Sequence, residues 1–295
     1  MGAADECLFP IILDRFLKKL RARGWGMESK ITCRLCGGDS HLSFEENYMK
    51  IRRVGLYTCD VCGCLQTTFP DWLGDAYADT RPVRDVWMVR RSQQMCVLTI
   101  SVMKLLGLFS GKLFDWGGGN GLLVRMLRDN GINAFRCDKY VQNYYAVGFD
   151  VETEEKADIV TAFEVFEHAD NPSELMREIS VHSPSYILLS TELYDGQGAD
   201  WNYIHAESGK HVFFYSLNGM RILAKNYGYD VIVGKKFSVM YRPSKISKIK
   251  LFLVSSYIKN FYFYYKFSSA RMLFSGNKKS MIDSDFISLK DRGYL

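Results

Sequence analysis

The sequence predicts an α/β protein: a doubly wound, mostly parallel sheet with helices on both faces, preceded by a small zinc ribbon. Three observations predict it. Strand-like and helix-like segments alternate over residues 110–240, the pattern of successive βαβ units. Within that stretch Lys112–Gly131 reads as a hydrophobic strand, a glycine-rich turn and a helix, which brings backbone N–H groups and a helix N-terminus to one point. Ahead of it, two Cys-x-x-Cys pairs, Cys33/Cys36 and Cys59/Cys62, each run into a glycine.

The elements follow in order. Residues 1–28 are expected to be helical and residues 29–75 to form the ribbon. A Cys-x-x-Cys turn aims two thiolates at one point, and two such turns complete a tetrahedral zinc site. Two disulfides or a redox pair are the alternatives. Met1–Glu6 carries two acids and no basic residue, and the apolar run Cys7–Leu13 contains Pro10 and gives way to charged Asp14–Arg23. No secretory signal is therefore expected, and a reducing, cytoplasmic compartment favours metal over disulfides. A redox site would use one such motif, not two. Cys64 is a substitute ligand or, the favoured reading, a small hydrophobe packed beside the site. A module of this size buries little core and needs the metal as its staple. Trp72, Leu73 and Tyr77 are expected to pack one side of a turn or short helix.

The main domain is expected over residues 83–240. Val83–Leu108 shows apolar residues at helical spacing and is free of Pro and Gly up to Gly107, so it reads as one or two helices. A strand then ends at Asp115, Gly117-Gly118-Gly119-Asn120-Gly121 forms the turn, and Leu122–Arg128 resumes a helix. A phosphate loop would carry Gly-Lys-Ser/Thr, which is missing, and a pyrophosphate would be repelled by the acid just before the glycines. The Asp115 carboxylate suits a cationic ligand instead. The next strand, Ala134–Cys137, ends in Asp138, an acid placed to accept hydrogen bonds from a ribose diol in a Rossmann-like fold. A third short strand is expected near Gly148-Phe149-Asp150. Strands at Lys156–Phe163, Tyr186–Thr191 and Val231–Val233, an element opening at His211, and helices at Ser173–Ile179 and Leu217–Asn226 complete the alternation.

The chain has 295 residues, 47% of them hydrophobic and 14% aromatic, with 24 Gly and 6 Pro, a composition that excludes disorder over most of its length. Its net charge of +5 is local. Residues 241–295 hold 11 Lys/Arg and 3 Asp/Glu, whereas residues 1–240 hold 27 and 30. A body of net −3 argues against a nucleic-acid partner gripped through a basic channel. The basic, aromatic-rich extension 241–295 is expected either to pack onto the ribbon as a helix with a solvated charged face or to make a peripheral membrane or protein contact.

The segments Phe114-Asp115-Trp116-Gly117-Gly118-Gly119-Asn120-Gly121, Cys137-Asp138 and Ala157–His168 resemble the motifs of class I S-adenosylmethionine-dependent methyltransferases over roughly residues 85–240. The resemblance implies that Gly117, Gly119 and Gly121 wrap the methionine part of S-adenosylmethionine, with Asp115 near its amino end. It further implies that Asp138 holds the ribose, Asp150 borders the adenine, and Phe163 and Glu164 line the site beside the sulfonium. The family usually has glycine where Trp116 stands. A narrower resemblance is to sugar methyltransferases of deoxysugar or polysaccharide biosynthesis, some of which carry an N-terminal four-cysteine zinc module. The large C-terminal domain of the carbon-methylating sugar enzymes is not expected within these residues, which weakens that specific substrate assignment. The acceptor implied is a sugar, nucleotide-sugar or glycan intermediate.

The chemistry agrees with such a transfer. A sulfonium methyl needs a nucleophile aligned with the S–CH₃ axis, and an alcohol must lose its proton as the bond forms. His211 is the first candidate for that base, with His205 and His168 behind it and Glu164 or Glu167 placed to orient a histidine or bind a hydroxyl. Tyr194, Trp201 and Tyr203 are candidates for a stacking wall. A methyltransferase for another small molecule, lipid or protein side chain, and a non-catalytic cofactor-binding module, stay open as alternatives.

Overall fold

The computed structural model describes residues 28–78, 87–151, 155–265 and 281–292; the helix expected before residue 28 lies outside them. Two sheets organise the chain. The first is antiparallel: β1 (Lys30–Thr32), β2 (Asp39–Tyr48), β3 (Arg52–Cys59) and β4 (Leu65–Thr67), in that order, with β9 (Phe213–Phe214) added beside β4. The second has six strands in the order β10-β11-β8-β7-β5-β6: β5 (Lys112–Trp116), β6 (Asn133–Cys137), β7 (Ile159–Phe163), β8 (Tyr186–Ser190), β10 (Asp230–Val233) and β11 (Phe237–Tyr241).

The period-2 alternation of the strands assigns side chains to the two faces. Leu113, Ile159, Leu188 and Val239 join a core with helices α1 (Met88–Leu106), α2 (Leu122–Asp129) and α5 (Lys248–Lys259). Their neighbours Phe114, Val160, Ile187, Leu189 and Met240 join a second core with α3 (Pro172–Val181) and α4 (Leu217–Asn226). This is the expected doubly wound Rossmann-like arrangement, with helices on both faces. Local chemistry sets the helix ends: Gly107 closes α1 with φ 73°, Asn171 caps α3 ahead of Pro172, and the Ser216 hydroxyl caps α4 through the Gly219 N–H at 2.8 Å.

Four expectations are corrected. The sheet is mixed: β5, β6, β7 and β8 pair in parallel, but β10 and β11 form an antiparallel hairpin on its edge, because a three-residue turn at 234–236 cannot make the crossover that parallel strands require. The third strand near Gly148–Asp150 reduces to one bridge between Arg136 and Asp150. The element opening at His211 becomes β9 and joins the cysteine-bearing sheet. That sheet is consequently no separate zinc ribbon: Cys33, Cys59, Cys62 and Cys64 share a core with Phe114 and Val160 of the large sheet.

Among the described residues the C-terminal extension packs on the large sheet and α1 and not on the ribbon: Val254, Ile258 and Phe261 are buried there, and the Tyr257 hydroxyl donates to Ser101 Oγ at 2.7 Å. Helix α6 (Ile282–Asp291) is fastened to α2 by the buried Asp285 carboxylate, which takes Arg128 Nη2 at 2.6 Å and Arg125 Nη2 at 2.9 Å. Among the described residues no helix is long and apolar enough to cross a membrane.

Candidate active site and metal centre

After β5 the chain turns through Gly117, Gly119 and Gly121, all with positive φ. A Cβ on Gly117 would stand 2.6 Å from Val165 Cγ2, and one on Gly121 2.6 Å from Asn143 Oδ1. At Gly119 a Cβ would meet nothing within 4 Å, so the backbone there borders open space that a ligand can fill. Asp138 lies at the rim of this cradle. Its Oδ2 accepts the Gly119 N–H at 2.9 Å, and its Oδ1 accepts those of Tyr140 and Val141 at 2.8 Å. Buried Arg136 ties the rim together, donating to the Gly119 carbonyl at 2.5 Å, to Asp150 Oδ1 at 2.5 Å and to the Val141 carbonyl. Trp116, in the place of the family's glycine, packs beside His182 with ring centroids 5.6 Å apart.

Asp115 is buried under this loop and accepts the Thr161 hydroxyl at 2.7 Å. Burial pushes its carboxyl up to about 7, a cost that a bound cation would offset. A glycine cradle, a buried carboxylate beneath it and a carboxylate on its rim fit a nucleoside that carries a cationic amino-acid tail. Phe163 is buried at the end of β7, edge-on to Phe237. Glu164 follows with φ 54°, a left-handed backbone that costs a non-glycine residue about 1 kcal/mol. A reciprocal pair holds it there: its N–H donates to Ser190 Oγ at 2.9 Å, and that hydroxyl donates to Glu164 Oε1 at 2.6 Å.

The turn Phe166–His168 then brings Glu167 and His168 against His211, whose chain position is fixed by β9. One ligand atom from each of Glu167, His168 and His211 lies within 4.8 Å of the others. Glu167 is fully buried; its Oε1 accepts the Tyr203 hydroxyl at 2.6 Å, and burial together with the Glu164 charge pushes its carboxyl up to about 8. Thr191 Oγ1 stands 3.2 Å from the same hydroxyl. His211 Nδ1 lies 2.6 Å from the Tyr203 carbonyl. A carbonyl only accepts, so Nδ1 carries the proton and Nε2 keeps its lone pair. Burial holds the His211 imidazole down to about 4, and burial and neighbouring His211 hold His168 below its usual range. His168 Nδ1 shares a 2.5 Å hydrogen bond with the Tyr77 hydroxyl, and the Tyr77 ring stacks on Tyr140 of the Asp138 loop at 5.2 Å. Tyr77 thus spans from the cofactor cradle to the histidines. His205, exposed at φ 47°, has its ring 5.1 Å from that of His211. A cleft of about 620 Å³ opens alongside, lined by Glu192, Asp200, Trp201, Tyr203 and His205 among others.

The four cysteine sulfurs form a second centre, mutually within 4.8 Å, with Cys33 to Cys62 at 3.6 Å and Cys36 to Cys59 at 3.5 Å. Zinc–sulfur bonds of about 2.3 Å in a tetrahedron separate sulfurs by about 3.8 Å, so the cluster suits that ion. Cys64 stands apart, accepting the Ser216 N–H at 3.4 Å, with a Cβ on Gly219 excluded by its sulfur. The knuckles also grip the strand that follows His211: Arg34 Nη2 donates to the Val212 carbonyl at 2.6 Å, and Ser216 Oγ donates to the Cys62 carbonyl.

The structure therefore brings Glu167, His168, His205 and His211 together, and separately gathers Asp115, the glycines, Asp138 and Asp150. Sequence reasoning missed Tyr77, Arg136 and the Tyr203 hydroxyl as members of these sites. A tyrosine reaching a histidine 91 positions away leaves no local pattern, whereas Arg136, an arginine inside a buried strand, was a signal available to be read.

Residues 91–233 match the family model of a methyltransferase domain. No curated protein is matched by the chain. Among solved structures it is similar to the 1,6-didemethyltoxoflavin-N1-methyltransferase of Burkholderia thailandensis at 13% identity and a TM-score of 0.43, over 67% of this chain and 97% of that one. It is also similar to the magnesium protoporphyrin IX methyltransferase of Synechocystis PCC 6803, at 13% identity and 0.38 over 58% and 91%. Human N-acetylserotonin methyltransferase follows at 15% identity and 0.39 over 57% and 56%. Likenesses this remote carry no information about the acceptor. Sheet topology, glycine cradle and the match over residues 91–233 together define a class I methyltransferase fold. The protein is an S-adenosylmethionine-dependent methyltransferase.

Proposed function

We propose that the protein methylates a hydroxyl of a small-molecule acceptor, a sugar, nucleotide-sugar or glycan intermediate. The observation that supports this reading is the cleft beside the histidine cluster, which Trp201 and Tyr203 line together with Glu192 and Asp200. Aromatic faces stack on sugar rings and carboxylates accept from their hydroxyls. S-adenosylmethionine, when bound, supplies an already activated methyl group on a sulfonium. The chain's task is to hold, align and deprotonate. Gly117, Gly119 and Gly121 would cradle the methionine part, Asp115 its ammonium, and Asp138 the ribose. Asp150 would fix the adenine side through Arg136, and Phe163 and Glu164 would flank the reacting centre. The His211 Nε2 lone pair would serve the acceptor oxygen, as a general base or as a ligand, with His168 and His205 beside it.

Zinc on Cys33, Cys36, Cys59 and Cys62 has a structural part in this reading, since the knuckles hold the strand that positions His211. A cytoplasmic setting suits four reduced thiols. The face of α5 that exposes Ile249 and Phe252, 73% and 72% accessible, would be where a membrane or protein partner is met. Transfer of labelled methyl from S-adenosylmethionine to sugars and nucleotide-sugars, run against phenols, lipids and peptides, tests the acceptor class. An O-methyl ether on a sugar is the expected product. Label found only on nitrogen, carbon or protein would reject it.

A further inference from the structure

We propose that Glu167, His168 and His211 hold a divalent transition-metal cation, distinct from the cysteine-bound zinc, that takes an acceptor hydroxyl as an additional ligand. The inference rests on the hydroxyl-acceptor reading for the cation's use but not for its binding.

Four observations carry it. The three ligand atoms lie within 4.8 Å of one another, close enough for one ion to touch all three with small rotamer shifts. Glu167 Oε2 is buried and has no hydrogen-bonding partner among the described residues, a costly state for a carboxylate oxygen unless something positive meets it. Each histidine is anchored on its Nδ1: His211 by the Tyr203 carbonyl at 2.6 Å, His168 by the Tyr77 hydroxyl at 2.5 Å. Such outer contacts are how ligating imidazoles are oriented, with the other nitrogen turned to the metal. Tyr203 orients the carboxylate as well, through its hydroxyl on Oε1 at 2.6 Å. One tyrosine thus aligns two ligands from both of its polar ends.

Two histidines and one carboxylate suit first-row divalent ions and leave coordination positions open on one side. An acceptor with two neighbouring oxygens, such as the vicinal diol of a sugar, can occupy them as a chelate. The cation polarises the bound hydroxyl; its proton leaves to Glu164 or solvent, the oxygen's electron pair forms the bond to the methyl carbon, and the carbon–sulfur pair returns to sulfur. His211 then gives its lone pair to the ion instead of taking the proton directly.

The test titrates zinc-loaded, full-length protein with Mn²⁺ and, separately, Co²⁺, following free Mn²⁺ by electron paramagnetic resonance and Co²⁺ by its visible absorption. One equivalent should bind, Co²⁺ more tightly than Mn²⁺. Glu167→Gln, close to isosteric, should weaken binding about a hundredfold and Tyr77→Phe about tenfold, with zinc content and melting temperature unchanged. Should Glu167→Gln fail to fold, His211→Gln takes its place. Neither ion bound by the folded wild-type chain, or equal binding by wild type and the ligand variants, overturns the site. Full-rate methylation of a hydroxyl acceptor with only cysteine-bound zinc present overturns the cation's catalytic part and leaves the acceptor reading standing. A bound cation without hydroxyl methylation supports the site and refutes the acceptor reading.

Discussion

Asp115 is buried beneath the glycine loop, and that burial pushes its carboxyl up to about 7. Because the folded-state pKa lies above the unfolded one, the contribution to the stability of the cofactor-free protein is complete below about pH 4 and is lost as pH rises through about 7. On the proposed reading cofactor binding runs the other way, since the ammonium held by Asp115 needs the carboxylate. Affinity for S-adenosylmethionine should therefore fall by up to about tenfold per pH unit below 7. Calorimetry from pH 5 to 8 checks this, and Asp115→Asn should flatten the profile. The glycines divide in a similarly specific way. Gly119→Ala has room for its Cβ and should cost only about 1 kcal/mol of stability, yet it should weaken cofactor binding by filling the cradle. Gly121→Ala collides with Asn143 and the Ala146 backbone and should lower the melting temperature first. Asp115, the glycines, Asp138 and the cysteines were legible because short-range spacing dictates their geometry. The roles of Tyr77 and Tyr203 were not, because their partners come from distant segments.

At the level of elements, strand β9 links the two centres. It pairs with β4 and lies just beyond His211, and its flanks are held by Arg34 on the Val212 carbonyl and by the Ser216 hydroxyl on the Cys62 carbonyl. A self-contained ribbon would confine the effect of zinc loss to residues 29–75; the shared strand extends it. Cys59→Ser should release zinc and also lower methyl transfer by about tenfold or more, through misplacement of His211, while S-adenosylmethionine affinity stays within about threefold of wild type. Metal analysis, calorimetry and turnover on the same preparation separate these effects; unchanged turnover without zinc would show that β9 holds His211 unaided. Most strands and helices of the large sheet were readable because their apolar periodicity is strong. The β10–β11 hairpin and the destination of β9 were not, since pairing partner and direction are set by tertiary packing.

Across the whole molecule, the net charge of the tail says less than where the tail packs. Helix α5 completes the core on one face of the sheet, and α6 is held by Asp285 on Arg128, a pair with 5% and 4% of their side chains accessible. Asp285→Ala leaves a buried guanidinium without its carboxylate and should cost about 3–5 kcal/mol, measurable by denaturant unfolding. Tyr77 joins the glycine-loop rim to the histidine–carboxylate cluster through Tyr140 and His168, and Tyr203 and His205 carry that cluster to the open cleft. On the proposed reading, the acceptor hydroxyl reacts at the Glu167–His168–His211 cluster. The most direct measurement is transfer of labelled methyl from S-adenosylmethionine to a hydroxyl acceptor by wild type and His211→Ala at saturating cofactor. Turnover should fall about a hundredfold or more in the variant with S-adenosylmethionine affinity unchanged. A His211→Ala protein that transfers methyl within about twofold of the wild-type rate would contradict it.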